Sequence, residues 1–434
     1  MKQGRHIIGY TMVFTGLLFA LYLMMALFAT LPNAAIQNNM RSSAKYFINA
    51  DSYAFSEDGL FRNITDNYAD QIWTNIGWHM GYGNPFVSVL DTKYYDSDQH
   101  DTSVGLHLAV TQKQDANVKY SRYWHGTASV IRFLHLFTNI RGIKRIGMLC
   151  LVLLIVKTLR VLCRSGYWDL SLCLLASLFG IHIGNLRLSA EYLPSFLVCF
   201  GLCPAFLRAE KKGDFHLNTV AVVSGTLTAF FDFLTTETVA ILIPLILIVA
   251  VRSKERRLGS PRQVLRMLLG CGFCWLAAYV GTFLVKWIAV SVTTGENHIL
   301  AALDSFRNRV NGVISVEETM RRAGPLMAIG ANFSVLFEGT GPTEFQQATA
   351  RLTAIVLSGF LVYRLYQVRK KRHPGTGFLL FLGGIVFLRF DILANHSYTH
   401  AFFTYRALAS TILAVLSAML INLQPAKKSG RLER

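Results

Sequence analysis

Apolar residues recur in runs long enough to cross a bilayer core of about 30 Å at 1.5 Å per residue. They lie near residues 8–31, 143–163, 168–186, 190–207, 216–233, 236–251, 267–291, 352–368, 376–394 and 405–423. The pattern predicts an all-α polytopic membrane protein with about ten transmembrane helices. The first run is too long, and lacks a small-residue cleavage site, to read as a removed signal peptide. Between the first two runs lies one large hydrophilic loop. The expected organisation is a first transmembrane helix over 1–31 and a loop domain with amphipathic helices over 32–126. Helices two to seven follow over 127–291, then a second polar segment over 292–351, then helices eight to ten and a tail over 352–434.

Polar residues cluster in a few places within this frame. Read as a helix, residues 65–80 place Asp66, Asp70 and Thr74 on one face and Ile72, Trp73, Ile76 and Met80 on another, as in a helix lying on a membrane with its carboxylates pointing at a substrate. Arg122, Tyr123 and His125 lead into the second run, either as phosphate contacts or as an interfacial anchor. His182, Asn185, Arg187 and Glu191 surround the turn between runs three and four, and Asp232 with Glu237 the turn between five and six. An acid at such a depth lies close to the surface or faces a polar cavity. Residues 298–310 have the spacing of an amphipathic surface helix with Arg307 and Arg309 on its polar side. The last turn carries Arg389, His396, Tyr398, His400 and Arg406, more hydrogen-bonding capacity than a connector needs, so it contacts a ligand or closes on itself as a network.

Composition sharpens the class. With 52% hydrophobic and 16% charged residues in 434, and a mean hydropathy of +0.37, the chain is too apolar for an ordinary soluble enzyme. The net charge of +18 does not indicate a nucleic-acid partner. More than half of the 43 basic residues fall in alternate turns and the two ends, while most of the 25 acids fall on the other side. That is the positive-inside pattern, with both termini cytoplasmic and the large loop outside the plasma membrane. The seven cysteines sit in or beside the apolar runs, and Cys271–Cys274, despite its C-x-x-C spacing, reads as membrane packing. Asp96–Asp101 is oxygen-rich but lacks the glycine and distal glutamate of a calcium loop, so it reads as a solvated turn and no metal site is assigned. Asn63, Asn332 and Asn395 open short glycosylation sequons, a pattern common by chance. No Walker loop, G-x-S-x-G elbow or H-E-x-x-H helix is present, which removes support for nucleotide-driven transport and zinc proteolysis.

Five stretches in this order resemble the multi-span GT-C class of glycosyltransferases: Asp66–Asp70, Ser121–Gly126, Phe231–Thr235, Lys286–Trp287 with Gly295–Asn297, and Asn395–Arg406. The chain looks closer still to a group of Gram-positive and actinobacterial membrane proteins placed near that class, to which no reaction is assigned. The resemblance implies inverting transfer of a sugar from a polyprenyl-phosphate donor to a glycan or lipid-linked acceptor in the cell envelope. It also implies that an acid of the first outer loop acts as base. Asp66 and Asp70 stand soon after the first span, although the class usually places its acids nearer the span, where Asp51, Glu57 and Asp58 lie here.

A transfer of this kind needs a carboxylate within about 3 Å of the acceptor hydroxyl and cations on the departing phosphate. Asp70 ranks ahead of Asp66 as base because Asp66 stands where a helix cap is expected. Arg122, Tyr123, His125, Glu191, Asp232, His396, Tyr398, His400 and Arg406 are the expected substrate contacts. A lipid-phosphate sugar is already activated, so no cofactor is required, though a divalent cation is compatible with the chemistry. The rival expectations are a lipid-linked glycan flippase, whose charges belong at midplane on broken helices, and a non-catalytic envelope assembly protein.

Overall fold

The computed structural model describes residues 2–54, 64–311, 313–316, 319–322, 324–337, 359 and 373–423. The described chain is almost entirely helical. In order come α1 (Lys2–Ala29), α2 (Asn33–Ile48), α3 (Asn67–His79), α4 (Pro85–Ser88), α5 (Thr102–Thr111), α6 (Gly126–Leu134) and α7 (Ile140–Arg164). Then follow α8 (Trp168–Gly180), α9 (Pro194–Ala209), α10 (Asp214–Phe231), α11 (Val239–Lys254), α12 (Pro261–Thr294), α13 (His298–Asn311) and α14 (Pro325–Val335). The last two long helices are Gly375–Ile392 and Ala409–Leu423. Two short antiparallel ladders interrupt them, Lys93–Tyr94 with Val118–Lys119 and Val313–Val316 with Thr319–Arg322.

Among the described residues, 6 helical stretches are long and apolar enough to cross a membrane: Gly4–Ala29, Ile140–Arg164, Ala190–Lys212, Pro261–Thr294, Gly375–Ile392 and Ala401–Leu423. Three other expected spans are helices that fall short of that measure. α8 has 13 residues and α11 has 16, about 20 and 24 Å of rise. α10 carries Asp214, His216, Asn218 and several hydroxyl residues, which lower its hydropathy. The run at 352–368, residue 359 apart, lies outside the described residues.

The hydrophilic segment after α1 folds into the bundle rather than hanging from it. Its buried side chains, from Ile36 through Trp73 and Trp124, join one continuous core with the long helices. α3 corrects the expectation of a helix lying on a membrane surface: every residue from Ala69 to His79 is buried, and Tyr68 alone in the helix is exposed. The reason is packing on all sides, by α2, α5 and α6. At Gly77 an added Cβ would come 2.9 Å from the Ala128 carbonyl oxygen of α6, so only glycine allows these backbones to meet.

Two buried cations fasten the segment. Arg132 of α6, fully buried, donates to the carbonyls of Phe28 (3.0 Å), Gly77 (2.8 Å) and Leu31 and to the Asn33 amide oxygen (2.7 Å). It thereby satisfies the open C-terminal carbonyls of α1 and α3 together. Lys286 of α12 donates to the carbonyls of Val89 (3.0 Å) and Leu90 (2.5 Å), with Trp124 beside it at 5.4 Å. Arg132→Met is expected to lower folding stability by about 3 kcal/mol or more, since several buried carbonyls lose their donor at once. A thermal melt of the purified protein in detergent checks this.

Candidate functional site

The N-terminus of α3 brings the two sequence-predicted acids to different environments. Asp66 is the N-cap: its Oδ1 accepts from the Ala69 amide at 2.9 Å, as the sequence anticipates for a carboxylate at that place. Asp70, one turn on, has no exposed surface. One of its oxygens accepts from the Ser189 hydroxyl and the Ala190 amide, both at 2.9 Å. The other is 2.6 Å from the Lys144 ammonium. Lys144 in turn donates to the Leu188 carbonyl at 2.9 Å. Asp70 is thus fixed between α3, α7 and the 3-10 turn that precedes α9.

Glu191 of that turn, also buried, is hydrogen-bonded to the Asp66 carboxyl. Two carboxyl groups in such contact hold one proton between them. Burial is the main cause that raises Asp66 from the usual 3.8 to about 6, and the Asp70 charge adds to it. Asp66 therefore exchanges its proton near neutrality, whereas Asp70 is engaged by a cation and two donors.

From the Asp66–Glu191 pair a series of aromatic and basic side chains leads away through Tyr53 and Tyr68. Tyr53, close enough to both acids to feel their charge, stacks on Tyr68 at 6.0 Å and meets Phe402 edge-on at 5.8 Å. Phe402 adjoins His400 (6.0 Å), and His400 adjoins His396 (4.7 Å). The charge of Arg309, on α13, acts on both histidines, and its guanidinium stands 5.7 Å from the Tyr123 ring. Arg122 lies over Tyr120 at 4.0 Å and 5.6 Å from Tyr123, and its charge reaches Tyr68. Neither Arg122 nor Arg309 has a carboxylate partner within ion-pair distance among the described residues.

The remaining expected contacts divide. His125 is turned inward, its Nε2 donating to the Tyr120 carbonyl at 2.7 Å. Burial, with Lys286 and Arg122 nearby, pushes it down to about 3, so it is neutral. His396 likewise bonds the Leu234 carbonyl at 2.9 Å, and burial holds it below the usual histidine range. His400 is lowered by burial to about 4. Asp232 accepts from the Thr235 amide at 3.0 Å and hydroxyl at 2.5 Å and holds its own turn. Tyr398 stands apart, packed against Ala328 and Ala394. Arg406 is buried with its guanidinium 4.1 Å from the Tyr192 ring and 5.0 Å from Tyr405, and no carboxylate pairs with it among the described residues.

In the last polar turn, one half closes on itself. Arg389 donates to Glu237 (2.9 Å), Ser397 (2.9 Å) and the Leu234 carbonyl (2.8 Å). Asn332, part of a sequon, is buried and donates to the Ser397 carbonyl while accepting from Thr404. Sequence reasoning missed Lys144 and the tyrosines Tyr53 and Tyr68. A lysine near the start of an apolar run is the one signal available, because a cation at that depth requires a partner. Among the described residues no three His, Cys, Asp or Glu side chains converge as metal ligands.

Compared with known proteins, the chain matches no family model, no curated protein and no solved structure.

Proposed function

We propose that the protein is a membrane glycosyltransferase of GT-C type that moves a sugar from a polyprenyl-phosphate donor to an envelope acceptor at the outer face of the plasma membrane. The observation that carries this reading is the buried Asp66–Glu191 pair, with Asp66 raised to about 6 and Tyr53 and Tyr68 beside it, and with two carboxylate-free arginines at the neighbouring Tyr120 and Tyr123. Asp66, rather than Asp70, is the base in this reading. It takes the proton of the acceptor hydroxyl as that oxygen attacks the anomeric carbon from the face opposite the phosphate. The bond from the anomeric carbon to the phosphate oxygen breaks, its electron pair leaves with the polyprenyl phosphate, and the configuration inverts.

Arg122 and Arg309 hold the departing phosphate, for which a planar guanidinium fork is suited. Tyr53, Tyr68 and Phe402 offer ring faces to the sugar. In this reading the basic alternate turns lie in the cytoplasm and the carboxyl pair belongs to the outer side, which the charge distribution along the chain supports.

The test is reconstitution of the full chain in proteoliposomes with a labelled polyprenyl-phosphate sugar and an envelope acceptor fraction. Release of polyprenyl phosphate together with label in the acceptor is the expected result. Movement of the intact lipid-linked sugar across the bilayer without cleavage would overturn the proposal in favour of a flippase. Within the same assay Arg122→Gln is expected to raise the donor KM on the order of tenfold through loss of a charge-assisted contact, with the acceptor KM unchanged.

A further inference from the structure

Lys144 lies in the first turns of α7 and Arg164 ends it, about 30 Å away at 1.5 Å per residue. At that far end, remote from the carboxyl pair, a cavity of about 170 Å³ opens between α7, α9 and α11. Its walls are aliphatic, Leu207 and Ile248 among them, and its rim carries Tyr167, Arg208, Glu210 and Lys211.

The charges on the rim are unequally satisfied. Glu210 is already held by Arg252 at 2.6 Å and Arg257 at 2.5 Å. Glu255 is taken up by Arg257 and the Tyr167 hydroxyl, and Asp169 by Lys254. Arg208 and Lys211 are exposed and belong to no ion pair among the described residues. An anion entering the cavity thus meets two free cations, while the nearby carboxylates are neutralised by partners of their own.

The apolar walls specify the rest of the occupant. Val161, Leu162 and Val251 complete the apolar lining, so the part of an occupant that lies inside the charged rim rests against hydrocarbon. Basic pockets between spanning helices are recognised sites for anionic headgroups. We propose that this cavity binds one anionic phospholipid, its headgroup phosphate between Arg208 and Lys211 and an acyl chain along the walls. The proposal stands independently of the reaction assigned to the other end.

Native mass spectrometry and thermal melts of the purified full chain test it with three probes: phosphatidylglycerol, phosphatidylcholine and inorganic phosphate. Phosphatidylglycerol is expected to remain bound and to raise the melting temperature, phosphatidylcholine and inorganic phosphate to do neither. The double variant Arg208→Gln with Lys211→Gln, both on the surface, is expected to weaken phosphatidylglycerol on the order of tenfold. Lys212→Gln, which does not line the cavity, is expected to leave it unchanged. Equal binding of the two lipids, or full binding by the double variant, would overturn the proposal. Protection by inorganic phosphate equal to that by phosphatidylglycerol would also overturn it, by making the cavity a soluble-anion site.

Discussion

Asp66→Asn is expected to slow sugar transfer roughly a hundredfold to ten-thousandfold, the usual worth of a positioned general base, while the protein still folds. The amide oxygen can go on accepting from the Ala69 amide, as Oδ1 of Asp66 does at 2.9 Å, so the cap on α3 survives. The loss should fall on kcat more than on donor KM, because the carboxylate acts on the acceptor proton rather than on the phosphate. Stability should move the other way. Burial raises the Asp66 carboxyl from 3.8 to about 6, so the stability linked to its neutral form is complete below about pH 3.8 and is lost as pH rises through about 6. An asparagine has no charge to bury, and the variant is expected to melt no lower than the wild type at pH 7. Rate measurements paired with melts in detergent separate the two effects.

The second large effect concerns folding. Asp70→Asn leaves the buried Lys144 ammonium without its counter-ion at 2.6 Å, and Lys144→Met leaves the Asp70 carboxylate with only the Ser189 and Ala190 donors. Either single change is expected to cost about 3–5 kcal/mol, the penalty for an uncompensated charge in the interior. The double variant Asp70→Asn with Lys144→Met removes both charges and is expected to recover much of the loss. Chemical denaturation of the three variants measures the coupling as a double-mutant cycle. If Asp70→Asn abolished transfer while leaving stability untouched, Asp70 would be the base and not a brace.

The same two acids show what was legible in the sequence. Their helix was readable from spacing, and the capping role of Asp66 from its position just before the first turn. Their ranking was not, because Lys144, Ser189 and Glu191 reach them from more than 70 residues away in the chain. Pattern along a sequence reports what a helix offers on each face and says nothing of which distant element will cover it. α3 illustrates this: Asn67, Gln71, Thr74 and Asn75 look like a solvated face, yet each is buried. Gln71 accepts from Thr102 at 2.5 Å and Asn75 donates to the Tyr95 carbonyl at 2.9 Å. Long spans such as α7 and α12 were legible because length and hydropathy are local properties. α8 and α11 are apolar along their length but have only 13 and 16 residues, and hydropathy along the chain does not report where a helix ends.

Conversely, an accumulation of polar residues marked the last turn correctly as unusual without dividing it. Arg389 closes a network with Glu237 and Ser397, whereas His400 adjoins Phe402, which meets Tyr53 edge-on. Only three-dimensional neighbours distinguish the two. Arg309 was readable as the polar side of a surface helix, and α13 is such a helix, with Ile299, Leu300, Leu303 and Phe306 exposed on its apolar side. Its place beside Tyr123 and the two histidines was not readable, since it depends on how α12 delivers the helix after the left-handed turn at Gly295, where φ is 74°.

The central claim, that Asp66 is the base, is tested most directly by the pH dependence of kcat/KM for transfer in proteoliposomes. A base whose carboxyl is raised to about 6 predicts a rate that climbs with pH along a limb centred near 6 and then levels off. Asp66→Asn should show a residual rate without that limb. A wild-type profile that is flat through this range, or an Asp66→Asn variant that keeps the limb at full rate, would contradict it.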